Sequence, residues 1–150
     1  MIKKEGQTFH VGVYGIFINN GKLLVIKKAR GPYTGMLDLP GGGIEFGEKI
    51  EACLSREIME ETGATLNNCQ FISYNENFCN YFNKDNEPRQ LHHIGIYFLV
   101  DILFDKIKRD ADGFDSLGAD FVDVDNLEIL EITPIAKPAI LKAISMLKNR

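Results

Sequence analysis

An α/β domain whose sheet is covered on both sides is predicted by three features of this sequence. Stretches rich in Val, Ile, Tyr and Phe, at Phe9–Ile18, Lys22–Lys28, Asn67–Phe82 and Leu91–Phe104, are interspersed with two stretches that read as helices, one after Glu48 and one after Pro134. Within Lys22–Lys28, Leu24 and Ile26 point to one face and Leu23 and Val25 to the other, as in a strand lying between helical layers. The chain has 150 residues, 45% hydrophobic and 25% charged, which suits one ordinary domain spanning residues 1–150 with a real core and no room for a second.

In chain order, the first two strand-like runs are separated by Asn19, Asn20 and Gly21, residues that tolerate the positive φ of tight hairpin turns, so these strands are expected to pair. Lys27, Lys28 and Arg30 gather at the end of the second run and lead through the loop Gly31–Gly35 to Leu37, Asp38 and Leu39. Pro40 with Gly41, Gly42 and Gly43 then reads as a loop that lets a ligand approach the main chain. From Glu48 no Gly or Pro occurs until Gly63, which predicts a helix stopped by that glycine. Asn67–Phe82 and Leu91–Phe104 flank the polar turn 83–88 and form a second predicted hairpin. Gly118–Val124 returns as a short strand, and Ile140, Leu141, Ile144 and Leu147 form the packing stripe of a final helix.

The first helix carries the chemistry. Ile50, Cys53 and Leu54 lie on one stripe, and Glu57, Glu60 and Glu61 continue it, so a buried face turns acidic halfway along. Carboxylates held close together repel and take up protons unless a cation balances them, and an oxygen-only donor set suits Mg2+, or Mn2+, better than zinc. The bland alternative is a solvated acidic helix end paired with lysines. Lys28 and Arg30, at a strand end just ahead of these acids, are candidates for holding a phosphate against the metal, the alternative being an ordinary solvated strand end.

Gly42, Glu48, Arg56, Glu57, Ile58, Glu60, Glu61 and Gly63 together fit the Nudix box, Gx5Ex7REUxEExGU with U aliphatic, and the chain thereby resembles the Nudix hydrolases. It departs from the pattern only at Ala64, a smaller apolar residue at a packing position, and has Leu37 where many members carry Trp. The resemblance implies a Nudix α/β/α sandwich, a mixed sheet between helices. It implies that Glu57, Glu60 and Glu61 bind the metal, with the Gly41 carbonyl as a further ligand, and that Arg56 and Glu48 hold those carboxylates in place. The resemblance further implies an acid as general base, for which Glu57 is the first candidate and Asp115 the alternative, because members commonly take a further acid from a loop near that point. The implied reaction is hydrolysis of a nucleoside diphosphate linked to another moiety. Tyr81 lies close to where members acting on dinucleoside polyphosphates carry a Tyr, and the proline associated with ADP-ribose pyrophosphatases has no counterpart between Gly63 and Glu87. Nucleoside triphosphates and dinucleoside polyphosphates therefore rank above ADP-ribose. The rival functions are a catalytically silent nucleotide-sensing domain and an isoprenoid diphosphate isomerase, whose additional Cys and His metal ligands find no sign here.

The remaining residues bound the partners. A net charge of −4 argues against extended nucleic acid and leaves a small-molecule nucleotide as the expected partner, with a homodimer compatible. Cys53, Cys69 and Cys79, an odd number without CxxC spacing, fit a reducing cytoplasm and neither a disulfide framework nor a zinc site. The opening MIKKEGQTFH is too polar for a signal peptide, and no apolar run approaches the roughly 18 residues that span a bilayer, so no membrane attachment is expected. His92 and His93 point to opposite faces of their strand and read as structural, Arg89 as a surface ion pair, and most of the aspartates after Asp110 as solvated loop acids.

Overall fold

The computed structural model describes residues 4–150. In order, the chain forms β1 (Gln7–Ile16), β2 (Ile18–Asn19), β3 (Lys22–Lys28), β4 (Leu37–Asp38), β5 (Gly41–Gly43), α1 (Ile50–Thr62), β6 (Thr65–Phe82), β7 (Pro88–Leu103), β8 (Ser116–Asp123), a 3-10 turn (Val124–Asn126) and α2 (Lys137–Lys148). One sheet has the order β5-β1-β7-β6 and is mixed: β1 and β7 are parallel, whereas β5 and β6 join antiparallel. In a second sheet β3 pairs with β2, β4 and β8, all antiparallel.

The expected pairing of the first two strands is corrected by this arrangement. The tight turn forms, with Asn20 and Gly21 at positive φ, but the pairing with β3 across it is confined to Ile18, Asn19 and the Phe17 carbonyl, which accepts from the Leu24 N–H. The chain leaves β1 near Phe17 and changes sheets, because the ten residues of β1 find a longer partner in β7. The β6–β7 hairpin forms as predicted across the Asn83–Glu87 turn.

Two apolar cores flank the strands. Val13, Leu24, Ile26, Phe98 and Val100 pack with Cys53, Leu54 and Ile58 of α1, while Tyr14, Ile16, Leu23, Val25, Tyr97 and Leu99 pack with Ala139, Ile140 and Ala143 of α2. β3 thus feeds both cores, as its two apolar faces require. The expected helix cover holds near this junction but not at the far end of the β1–β7–β6 sheet, where Phe78 and Tyr74 stay exposed. Two stripe assignments also shift. Ile50, the first helical residue of α1, is 41% exposed, and the dry stripe runs through Cys53, Leu54, Ile58, Glu61 and Thr62. In α2, Leu141 faces out, and the shorter Ala139 and Ala143 flank Ile140 where the helix meets the strands. Ala64, the departure from the box, is fully buried beside the α1 core.

Gly12 and Gly95 lie opposite one another in β1 and β7, and the rings of Tyr14 and Tyr97 stack 5.4 Å apart across them. A methyl group at Gly12 would collide with the Tyr14 hydroxyl oxygen, and one at Gly95 would sit 2.6 Å from that of Tyr97. Both rings are buried and cannot swing aside. Gly12→Ala or Gly95→Ala is therefore expected to lower unfolding free energy by roughly 1–3 kcal/mol through overpacking, read as a shift in the urea midpoint at unchanged slope.

Candidate active site

The glycine strand β5 and the acidic half of α1 are joined by three contacts. Glu61, 4% exposed, accepts a hydrogen bond from the Gly41 N–H at 3.0 Å. The Glu57 carboxylate lies so close to Gly42 that a Cβ there would come within 2.7 Å of its carboxyl carbon. The Arg56 Nη2 donates to the Gly43 carbonyl at 3.3 Å. Gly63 ends the helix as expected, at φ 76°, with its N–H on the Met59 carbonyl.

Arg56 is the hub of the charged groups. It grips Glu48 through Nε and Nη2 at 2.7 and 2.9 Å, and its Nη1 reaches Glu57 at 2.8 Å and Glu60 at 3.3 Å. This guanidinium, with the Glu45 N–H behind it, holds the Glu48 carboxyl well below the usual range, at about 2. Burial pushes Glu57 upward despite Arg56, and pushes Glu61 far upward despite the Gly41 N–H. Glu60 is 55% exposed, which corrects the expectation of three carboxylates on one half-buried face: Glu57 and Glu61 turn inward while Glu60 opens to solvent. Among the described residues, no three carboxylate, His or Cys side chains converge as a ready metal cage, since Arg56 holds Glu57 and Glu60, and Gly41 holds Glu61. It is the Gly41 N–H, rather than its carbonyl, that meets the acids. Even so, Glu57, Glu60 and Glu61 line one cavity of about 550 Å³ with Lys108, Asp112, Phe114 and Asp115. An all-oxygen set of this kind fits a hard divalent cation, which would also relieve the buried negative charge.

A second cavity has a volume of about 260 Å³. Lys28, Arg30, Tyr81 and Asp115 all line it, together with Gly41, Gly42 and Gly43, so the residues chosen from sequence for phosphate and base meet in one cleft. Asp115 borders both cavities. Arg30 donates to the Gly113 carbonyl at 3.0 Å, which ties the cationic loop to the Asp115 loop, and the Ala29 N–H bonds the Asp115 carbonyl at 2.7 Å. A family model for the NUDIX domain matches residues 8–143, which takes in both cavities.

The chain belongs to the Nudix family. An ADP-ribose pyrophosphatase of Methanocaldococcus jannaschii is 36% identical over 128 residues, covering 84% of this chain and 70% of the relative. A nucleoside triphosphatase, NudI of Escherichia coli, is 50% identical over 50 residues, 32% of this chain and 36% of the relative. Among solved structures, a MutT NUDIX hydrolase from Burkholderia pseudomallei superposes with a TM-score of 0.70 at 22% identity, covering 90% of this chain and 98% of that one. The NUDIX domain of Shewanella oneidensis NrtR, complexed with ADP ribose, superposes with a TM-score of 0.70 at 14% identity, covering 96% and 90%. Both superpositions bear out the Nudix α/β/α fold. No helix among the described residues is long and apolar enough to cross a membrane.

Several residues of this Nudix cleft escaped the sequence reading. His10, Tyr14, Tyr33, Asp38 and His93 all line it. His93 is 2% exposed and sits between two hydroxyls, Tyr14 at 2.9 Å from Nε2 and Tyr33 at 3.2 Å from Nδ1. A neutral imidazole has one N–H and one lone pair, so it donates to one tyrosine and accepts from the other. Asn77 donates to the Tyr33 hydroxyl at 3.0 Å and extends the chain of contacts. Asp38 is buried with Thr133 and the Leu39 N–H on Oδ1, and burial raises it to about 6. A lone acid between Leu37 and Leu39 was the available signal. His92, on the opposite face, pairs with Glu76 at 2.7 Å, and Arg89 pairs with Glu87 at the surface.

Burial first, then the charges of His10 and Lys28, depress His93 to about 3. An unfolded histidine titrates near 6.5. Between these values the unfolded chain binds the proton and the folded one does not, so stability falls as pH is lowered, by up to roughly 1.4 kcal/mol per pH unit from this group. The melting temperature of His93→Gln, which keeps polar contacts but does not titrate, should fall less steeply than wild type between pH 6.5 and 4.

Proposed function

We propose that this chain hydrolyses the pyrophosphate linkage of a nucleoside diphosphate derivative, using a divalent cation, Mg2+ or Mn2+. The carrying observation is the arrangement around Asp115, which is shared by a cleft lined by Lys28, Arg30 and the glycine strand and by a cavity lined by Glu57, Glu60 and Glu61. Glu57, Glu60 and Glu61 would hold the cation, and the Gly41 N–H would steady Glu61 among them. When bound, such an ion neutralises the diphosphate oxygens and makes a nearby water more acidic.

The protein groups have separate tasks in this reading. Lys28 and Arg30 bind the phosphates and orient them toward the acids. Tyr81 supplies an aromatic face for the base in a cleft that Pro32 and Tyr33 also line. Arg56, anchored on Glu48, fixes Glu57 and Glu60 and so acts as a positioning residue. Glu57 accepts the proton of the attacking water, with Asp115 as the alternative base. Among the described residues, Lys28 and Arg30 are the only Lys or Arg lining the cleft, which suits the doubly charged pyrophosphate of an ADP-ribose-like diester better than a triphosphate. The relative aligned over most of the chain, an ADP-ribose pyrophosphatase, weighs the same way. This reverses the order that the missing proline suggested, since one absent proline carries less than the charge balance of the whole cleft. The free cysteines are consistent with action in the cytoplasm.

The test combines a nucleotide panel with a thermal one. With millimolar Mg2+, ADP-ribose should be cleaved at a kcat/KM at least tenfold above ATP and diadenosine tetraphosphate. Glu61→Gln should lower kcat by at least a hundredfold and lose the Mg2+-dependent rise in melting temperature that wild type shows. Retained activity in Glu61→Gln with no metal-dependent shift in wild type would sink the metal assignment, and release from no member of the panel would point to nucleotide binding without turnover.

A further inference from the structure

Beyond the hydrolytic cleft, the far end of the β5-β1-β7-β6 sheet presents an apolar face that no element of the chain covers. Paired residues of neighbouring strands share a face. Phe71, Tyr74, Phe78 and Phe82 of β6 therefore stand beside Phe98, Ile96, His92 and Pro88 of β7, with Phe9 of β1 next to His92. The α1 helix covers this face only as far as Val13, Ile96 and Phe98. Beyond it the four β6 rings are 54–72% exposed, and the Phe78 and His92 rings lie 4.3 Å apart as one surface.

With Phe9 included, these rings offer roughly 600 Å² of apolar surface, given about 150–250 Å² for a full aromatic side chain. That is at the upper limit of the roughly 300–600 Å² found as the largest patch on a typical monomer. With its polar rim it approaches the roughly 800 Å² per partner of a standard interface. The charges within and around the patch are of both signs: Glu76 is hydrogen-bonded to His92, Glu87 pairs with Arg89, and Lys84 stands beside Asp85 in the adjoining turn. A rim with no excess of cations suits a second copy of this chain, whereas an anionic bilayer calls for a rim rich in unpaired cations.

We propose that this sheet face is a homodimer interface, in which Tyr74, Phe78 and Phe82 of one copy pack against the same residues of a second about a two-fold axis. A two-fold interface is self-complementary, so one substitution alters both sides at once. Sedimentation at micromolar concentration should give twice the 16.9 kDa chain mass. Phe78→Glu and Phe78→Lys should each weaken association at least a hundredfold, because each places like charges across the axis. Mixing the two variants should restore a dimer, an outcome that also requires both to be folded. Leu141→Glu, exposed on α2, should leave the dimer intact. A wild type that stays monomeric at 100 micromolar, whether or not it binds lipid vesicles instead, would overturn the proposal. So would a dimer indifferent to both Phe78 substitutions, or two variants that do not associate when mixed. None of these readouts depends on nucleotide turnover.

Discussion

Arg56 is the constraint on which the acidic site rests. A helix that turns a carboxylate-bearing stripe toward a sheet faces mutual repulsion and desolvation together, and a single guanidinium offsets both. Its rigid fork meets Glu48 with two nitrogens while the remaining donor reaches Glu57 and Glu60, an arrangement that a point-charge ammonium does not reproduce. The same group contacts the Gly43 carbonyl, so α1 and the glycine strand are held by the residue that holds the acids.

The glycines follow from that closeness. Gly42 leaves room for the Glu57 carboxylate, and Gly41, at φ 152° with Val13 and Tyr14 against it, has no room for a side chain. A sheet edge stripped of side chains lets Glu61 reach a main-chain N–H and leaves the backbone of the glycines lining the cleft. On the cleft side, the lack of side chains at Gly12 and Gly95 seats Tyr14 and Tyr97, and Tyr14 in turn positions His93. Fold and candidate site therefore share one packing requirement, close approach of backbone.

What was legible in the sequence was what local chemistry encodes. The α1 segment, its Gly63 stop, the β6–β7 hairpin and the acids of the box all depend on short spacings and were read directly. The partner of β1 was not, because a parallel pairing with β7 is set by contacts between residues far apart in sequence, whereas the Asn19–Gly21 turn advertises only its own geometry. Alternation told that His92 and His93 face opposite ways but not which face holds the cleft. Lys28, Arg30, Tyr81 and Asp115 were found as separate candidates, and their convergence needed the fold. The exposure of Glu60 and Ile50 shows the limit of an ideal helical stripe: periodicity gives the direction of a side chain, while burial depends on where the neighbouring element ends.

If Arg56 presents the acids of α1 to a cation through its fork geometry, calorimetric titration of Mn2+ should separate wild type from Arg56→Lys. The lysine variant, keeping the charge but losing the fork, should bind Mn2+ about 10–100-fold more weakly while remaining folded by circular dichroism. Equal affinity in a folded Arg56→Lys variant would show that the fork does not present the acids.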